Sequence, residues 1–166
     1  MKVRLRDVRD SDLPVFFTQT NDPEGCRMAA FTAKDPSDER WFEDHWARIR
    51  RDPAIVMRAV VADDGGDVDD AEILGHVSVF GPPEEREVTY WIGRHYWGRG
   101  VATEALRALL GIATERPVYA RAAADNLASI KVLTNCGFVL SGTGRGFANA
   151  RGTEIDEVLL TLADRA

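Results

Sequence analysis

The sequence predicts a mixed α/β domain of the α+β kind: a mostly antiparallel sheet of six to seven strands flanked by about four helices. Three observations predict it. Two apolar runs, residues 54–63 and 71–81, stand either side of a polar stretch, as hairpin strands do. Two later segments, 86–112 and 117–136, each pass from a strand-like run into a helical one. The 166 residues carry no internal repeat and no linker, so one domain over residues 1–166 is expected.

Taken in order, VRLRDV (3–8) alternates apolar and charged side chains, the pattern of a half-buried strand. DSDLP follows with helix-start chemistry, Ser11 or Asp12 being the expected cap, and Leu13, Phe16, Phe17 and Thr20 recur at helical spacing. A Pro/Gly-punctuated loop separates this helix from PSDERWFEDHWARIRRDP, where Trp41, Phe42, His45, Trp46 and Ile49 share one stripe and Pro53 ends the helix. AIVMRAVVAD and AEILGHVSVFG read as strands joined by DDGGDVDD. That acidic loop lacks the sixth-position glycine and closing glutamate of an EF-hand register and reads as a solvated connection. REVTYWIG (86–93) is a strand with Val88, Tyr90 and Ile92 on one face and Glu87, Thr89 and Trp91 on the other. A helix on Val101, Ala105, Leu106, Leu109 and Ile112 comes next. PVYARAAA (117–124) is a strand, Asp125 or Asn126 caps the helix NLASIKVLTNC, and Gly137 stops it. FVLSG and TEIDEVLLTLA supply two last strands around a glycine-rich connection, SGTGRGFANARGTE, which reads as a mobile hairpin loop.

Composition narrows the function classes. With 45% hydrophobic and 29% charged residues, and no apolar run near the roughly 18 residues of a span, nothing here reads as crossing a membrane. MKVRLRDVRD has no apolar stretch behind its charges, so no secretory signal is read and the cytoplasm is the expected address. Net charge is −6, which argues against broad phosphate neutralisation on nucleic acid. Eighteen of the 21 bases are Arg, suited to bidentate anion contacts. Cys26 and Cys136 fit no metal spacing, and His45, His76 and His95 lie on separate elements without a triad or metal pattern; no metal site is expected.

The chemistry concentrates at HYWGRGVATEALRAL, where a strand runs through Gly98 and Gly100 into a helix. Unpaired N–H groups at the positive end of a helix dipole make an anion site, and glycine lets the backbone come close to the guest. Two nucleotide signatures fail: there is no G-x-x-x-x-G-K-[ST], and GRGVAT lacks the last glycine of G-x-G-x-x-G.

WGRGVATEAL, preceded by EVTYWIG and followed about two dozen residues later by NLASIKVLTNCGF, resembles the acyl-CoA site of the GNAT N-acetyltransferase superfamily. The likeness is greatest to the branch that acetylates ribosomal-protein N-termini (RimJ/RimL-like). The element order is also that of the superfamily. The resemblance implies acetyl-CoA as co-substrate and an amine acceptor, either a peptide N-terminus or a small amine. It implies that the amides of Gly98, Gly100, Val101, Ala102 and Thr103 cradle the CoA pyrophosphate with help from Arg99. Trp97, also implied to contact the cofactor, stands where the general pattern has Gln or Arg. The main chain of Tyr90 to Ile92 is expected to pair with pantetheine, the Ile92 amide polarising the thioester carbonyl. Asn126 matches a pantetheine-contacting Asn, and Ser129 the residue beside the leaving thiolate. The superfamily's common acid, a tyrosine seven residues after that Asn, is here Leu133. Glu87 is the expected base, although its strand parity opposes Tyr90 and Ile92 unless a bulge intervenes. Phe31 and Trp41 are expected to wall the acceptor.

Plain readings stand beside these: Asn126 as a helix cap, Ser129 as a first-turn serine, Glu87 as a solvated strand residue, Trp41 as core. A thiol of pKa ~8.5 needs little help to leave. An amine must be neutral to attack, which at pH 7 costs about 4.6 kcal/mol from a lysine-like ~10.4 and about 1 kcal/mol from an α-amine near ~7.8. The expectation is an acetyl-CoA-dependent N-acetyltransferase acting by direct attack on a primary amine; a CoA-binding sensor or interaction module is the alternative. A homodimer is left open.

Overall fold

Alternation in residues 3–8 becomes β1 (Val3–Arg6), the outer strand of a seven-stranded sheet, in a computed structural model that describes residues 1–164. The last two residues of the expected 1–166 domain lie outside the described residues. The other elements follow in order: α1 (Leu13–Thr20), α2 (Pro23–Ala29), α3 (Glu39–Arg51), β2 (Val56–Ala62), β3 (Ile73–Phe80), β4 (Glu87–Ile92), α4 (Val101–Ile112), β5 (Val118–Ala123), α5 (Leu127–Asn135), β6 (Val139–Ala148) and β7 (Thr153–Leu162). The strand order is β1-β2-β3-β4-β5-β7-β6, and β4–β5 is the parallel pair in an otherwise antiparallel sheet. This is the mixed, mostly antiparallel fold expected.

Neighbouring residues of β4 show which helices cover which face. The Tyr90 hydroxyl reaches Ser129 of α5, and the Trp91 indole N–H donates 2.9 Å to the Gln19 carbonyl of α1. Successive strand residues point to opposite faces, so α4 and α5 cover one side and α1 to α3 the other. Leu74, Leu106, Leu109, Leu133 and Leu160 are fully buried; a side chain so buried contributes about 1.5–3 kcal/mol. A second, aromatic cluster of Phe16, Phe42 and Trp46 packs on Ala59.

Four sequence expectations change. The loop read between the first two helices contains α2: Asp22 caps it by accepting from the Gly25 amide at 2.8 Å, and Pro23 opens the first turn. Gly25 is no helix breaker; a Cβ there would lie 2.9 Å from the Trp91 ring. Neither Ser11 nor Asp12 caps α1 with its side chain. The buried Asp12 carboxylate instead binds Arg6 at 2.7 and 2.8 Å and the Arg9 amide at 2.8 Å. Burial would raise the pKa of Asp12, but these donors outweigh it and hold it below the ordinary carboxylate value. On α3 the buried stripe is narrower, with Trp41 exposed, and on α4 it is shifted, with Ile112 exposed and Leu110 buried in its place.

The glycine-rich connection is the largest departure. Its residues 142–148 are strand, extending β6 to Ala148. Gly142, Gly144 and Gly146 share one parity, and a Cβ at each would press 3.3–3.4 Å from Leu159, Glu157 and Phe31 respectively. These glycines make room for neighbouring side chains across an ordered strand.

Candidate active site

The site begins where the sheet stops being continuous. β4 and β5 share one register pair, Glu87 with Tyr119, closed by the Tyr119 amide donating to the Arg86 carbonyl at 2.8 Å. Beyond it β5 pairs with β7 and β4 with β3. The Arg86 carbonyl faces β5 and the Gly93 amide faces β3, donating to Leu74 at 2.8 Å. Main-chain groups alternate along a strand, so the amides of Tyr90 and Ile92 face the gap. The Ile92 carbonyl, on the same side, accepts from the Trp97 indole N–H at 2.9 Å. Trp97 thus ties the loop after β4 back to the strand.

At the wide end of the gap lies the start of α4. Gly98 and Gly100 both have φ +76°, the left-handed region that glycine enters without penalty. A Cβ on either would meet no protein atom within 4 Å, so the space beside them is open. Residues 97–100 make a turn, but among the described residues no close, well-aligned protein acceptor takes the amides of residues 98–103, and the helix's first bond runs from the Glu104 amide to the Gly100 carbonyl at 3.1 Å. The buried Val101 side chain anchors this turn, while Ala102 and Thr103 are half-buried and Arg99 is exposed, with no carboxylate partner among the described residues. A row of free N–H groups carrying about half a positive charge fits a diphosphate.

Across the gap, α5 starts differently. The Asn126 carbonyl oxygen accepts from the Ser129 amide at 3.2 Å, and its amide group donates to the Met28 carbonyl of α2 at 3.1 Å. The plain cap reading therefore holds for Asn126, with one N–H and one lone pair to spare. Ser129 Oγ stands 2.5 Å from Tyr90 Oη. Burial pushes the Tyr90 phenol up to about 12 against the opposite pull of its bond to Ser129, so it stays protonated at neutral pH. The sequence signal for this side chain is the strand parity that turns Tyr90 toward the α4–α5 face, whereas the expected pairing with pantetheine involves its main chain alone.

The opposite face holds the remaining expected residues. β4 pairs with β3 without interruption from Gly75–Ile92 to Phe80–Glu87, so no bulge turns Glu87 toward Tyr90. Glu87 lies on the face of α1 and α2, and its carboxylate accepts from Arg121 at 2.8 Å; Arg121 is also 3.8 Å from Glu157. Phe31 is partly exposed and lies against Gly146 of β6. Just before it, Ala30 has φ 66° and ψ −53°, with the Phe31 amide 2.7 Å from the Ala29 carbonyl. This strained γ-turn in a non-glycine residue is buried between Ala123 and Ala148 and sets the direction of Phe31. No sequence pattern announces it. Trp41 is not brought to this group: it stacks on His45 of its own helix at 4.8 Å. His76 packs between Phe16 and Trp46, and burial pushes its pKa down to about 4, the bearing of a structural neutral ring. Burial also raises both cysteine thiols, which disfavours a thiolate nucleophile.

A seven-stranded, mostly antiparallel sheet parted between two parallel strands defines the class: the fold is that of the GNAT acyltransferases. The chain belongs to that family, since residues 2–139 match the acetyltransferase (GNAT) domain. It is 31% identical over 83 residues to an uncharacterised N-acetyltransferase, p20, of Bacillus licheniformis. That match takes in 48% of this chain and 47% of p20, so it spans about half the length of the relative. In fold the chain is similar to spermidine N-acetyltransferase from Vibrio cholerae, solved with CoA and spermine: TM-score 0.79, 18% identity, 97% of this chain and 95% of that one. It is also similar to RimL, a ribosomal L7/L12 α-N-protein acetyltransferase solved with coenzyme A: TM-score 0.78, 17% identity, 98% and 94% covered. Among the described residues no helix is long and apolar enough to cross a membrane.

Proposed function

We propose that this chain is a single-domain N-acetyltransferase that moves an acetyl group from acetyl-CoA to a primary amine by direct attack, with no covalent enzyme intermediate and no metal. The observation that carries the reading is the set of unclaimed amides at residues 98–103, opening onto the gap where the amides of Tyr90 and Ile92 point. In this reading Gly98, Arg99, Gly100, Val101, Ala102 and Thr103 hold the pyrophosphate, Tyr90 and Ile92 pair with pantetheine, and Trp97 braces the loop. The Ile92 amide stabilises the developing oxyanion. Asn126 orients the same arm with its spare N–H, and Ser129 donates to the departing sulfur.

Glu87, or a water it holds, takes the amine proton. Because its oxygen is already engaged by Arg121, it suits an amine that needs little deprotonation. That favours an α-amine, at about 1 kcal/mol, over a lysine-like one at about 4.6 kcal/mol. A peptide N-terminus is therefore the acceptor we propose, with placement in the RimJ/RimL-like branch, a cytoplasmic address, and Phe31 as the acceptor-side wall. Net charge −6 suits a cationic amine. A homodimer belongs to the same reading and is checked by sedimentation.

Incubation with acetyl-CoA and a panel of peptides and small amines, following free thiol, tests the proposal. Amine-dependent thiol release with peptide N-termini preferred is expected. Tight CoA binding without such release would favour a CoA-binding module instead, a reading that Leu133 in place of the usual tyrosine and the Glu87–Arg121 ion pair both favour.

A further inference from the structure

We infer that the Tyr90 side chain positions Ser129 for acyl transfer, donating its hydroxyl proton to Ser129 Oγ and so turning the serine's own proton toward the departing thiolate of CoA. The inference rests on the acetyltransferase reading and deepens it.

Tyr90 Oη has one proton and two acceptors near it, both on Ser129: Oγ at 2.5 Å and the main-chain carbonyl at 3.3 Å. A hydroxyl pair so close shares one proton strongly, and the direction of sharing decides what Ser129 has left to offer. If Ser129 donates, the tyrosine proton falls to the distant carbonyl and nothing remains for the sulfur. If Tyr90 donates, the serine O–H is free. An anion arriving beside Ser129 selects the second arrangement, because only that one presents a donor to it. Tyr90 is built for this bridge: its amide faces the gap between β4 and β5 while its side chain crosses to α5. The position where the superfamily carries a tyrosine acid is filled by the buried Leu133; here a phenol arrives from the strand and acts through a serine.

The step balances without a proton leaving Tyr90. The amine nitrogen bonds to the acetyl carbon, the C–S bond breaks, and its electron pair stays on sulfur. The amine proton goes to Glu87 or water. Burial pushes the phenol up to about 12, whereas a thiol has pKa ~8.5. Full transfer from phenol to thiolate would be unfavourable by on the order of a thousandfold. Tyr90 and Ser129 therefore hold the thiolate by hydrogen bonds.

A double-mutant cycle tests this: wild type, Tyr90→Phe, Ser129→Ala and the double variant, with kcat, the KM for acetyl-CoA and the Kd for CoA measured on each. Each single change is expected to lower kcat about tenfold, one hydrogen bond's worth, with KM and Kd within about twofold. The double variant should fall no more than about twofold below Ser129→Ala, because Tyr90 acts through Ser129. A double loss near a hundredfold, or an unaltered kcat in Tyr90→Phe, would overturn the inference while the acetyltransferase reading stands. An unaltered kcat in Ser129→Ala overturns it together with the role of Ser129. Absence of amine-dependent turnover in wild type sinks both readings. Should Tyr90→Phe fold poorly, fluorotyrosine at position 90 keeps the hydroxyl as a stronger donor. It should hold kcat at or above wild type, and a tenfold fall overturns the inference.

Discussion

Two helices begin on either side of the same gap, and they begin in opposite ways. At α5 the chain closes its own helix start: Asn126 accepts from the Ser129 amide and bonds onward to Met28. At α4 it does not: Gly100 sits in the left-handed region without a side-chain cap, and the amides of residues 98–103 have no close, well-aligned protein acceptor among the described residues. Capping contributes about 1 kcal/mol, so a helix that forgoes it gives up stability that the proposed CoA pyrophosphate would restore. One start serves the fold, and the other, in the function we propose, is left for a guest.

The most severe way to break this contrast is to cap α4 from within. Gly100→Asp puts a carboxylate at the open start in a conformation that Asp tolerates. Calorimetric titration should show CoA binding weakened at least about a hundredfold, about 2.7 kcal/mol, with the melting temperature nearly unchanged. Next in size, Gly98→Ala keeps the charge but forces a side chain into φ +76°, which costs about 1–2 kcal/mol. Denaturant unfolding should register that loss, with CoA affinity falling roughly tenfold. The smallest effect belongs to α5. Asn126→Ala should lower unfolding stability by about 1 kcal/mol and weaken CoA binding less than either glycine change; if it outdid Gly100→Asp, the assignment of the two helix starts would be reversed.

The contrast also marks what the sequence could reveal. Gly98 and Gly100 between a strand and a helix were legible because left-handed backbone and an open helix start each demand glycine, and both demands are local. Asn126 was legible as a cap for the same reason. Gly142, Gly144 and Gly146 misled, because their cause is not local: they accommodate Leu159, Glu157 and Phe31 from other parts of the chain. The helix at Pro23–Ala29 was hidden by Gly25, whose cause is the Trp91 ring. Glu87 was placed on the right strand, but its tie to Arg121 needed the β4–β5 neighbourhood that only tertiary structure provides. The Tyr90–Ser129 contact, 39 residues apart in sequence, joins a strand face that was read correctly to a helix whose docking was not deducible.

In the proposed function the open start of α4 receives the CoA pyrophosphate. Amide resonances followed during titration with CoA test it most directly. Large shifts are expected at Gly98, Gly100, Ala102 and Thr103, with Glu104, whose amide is already bonded to Gly100, moving far less. Saturable CoA binding that leaves the resonances of residues 98–103 unmoved would contradict it.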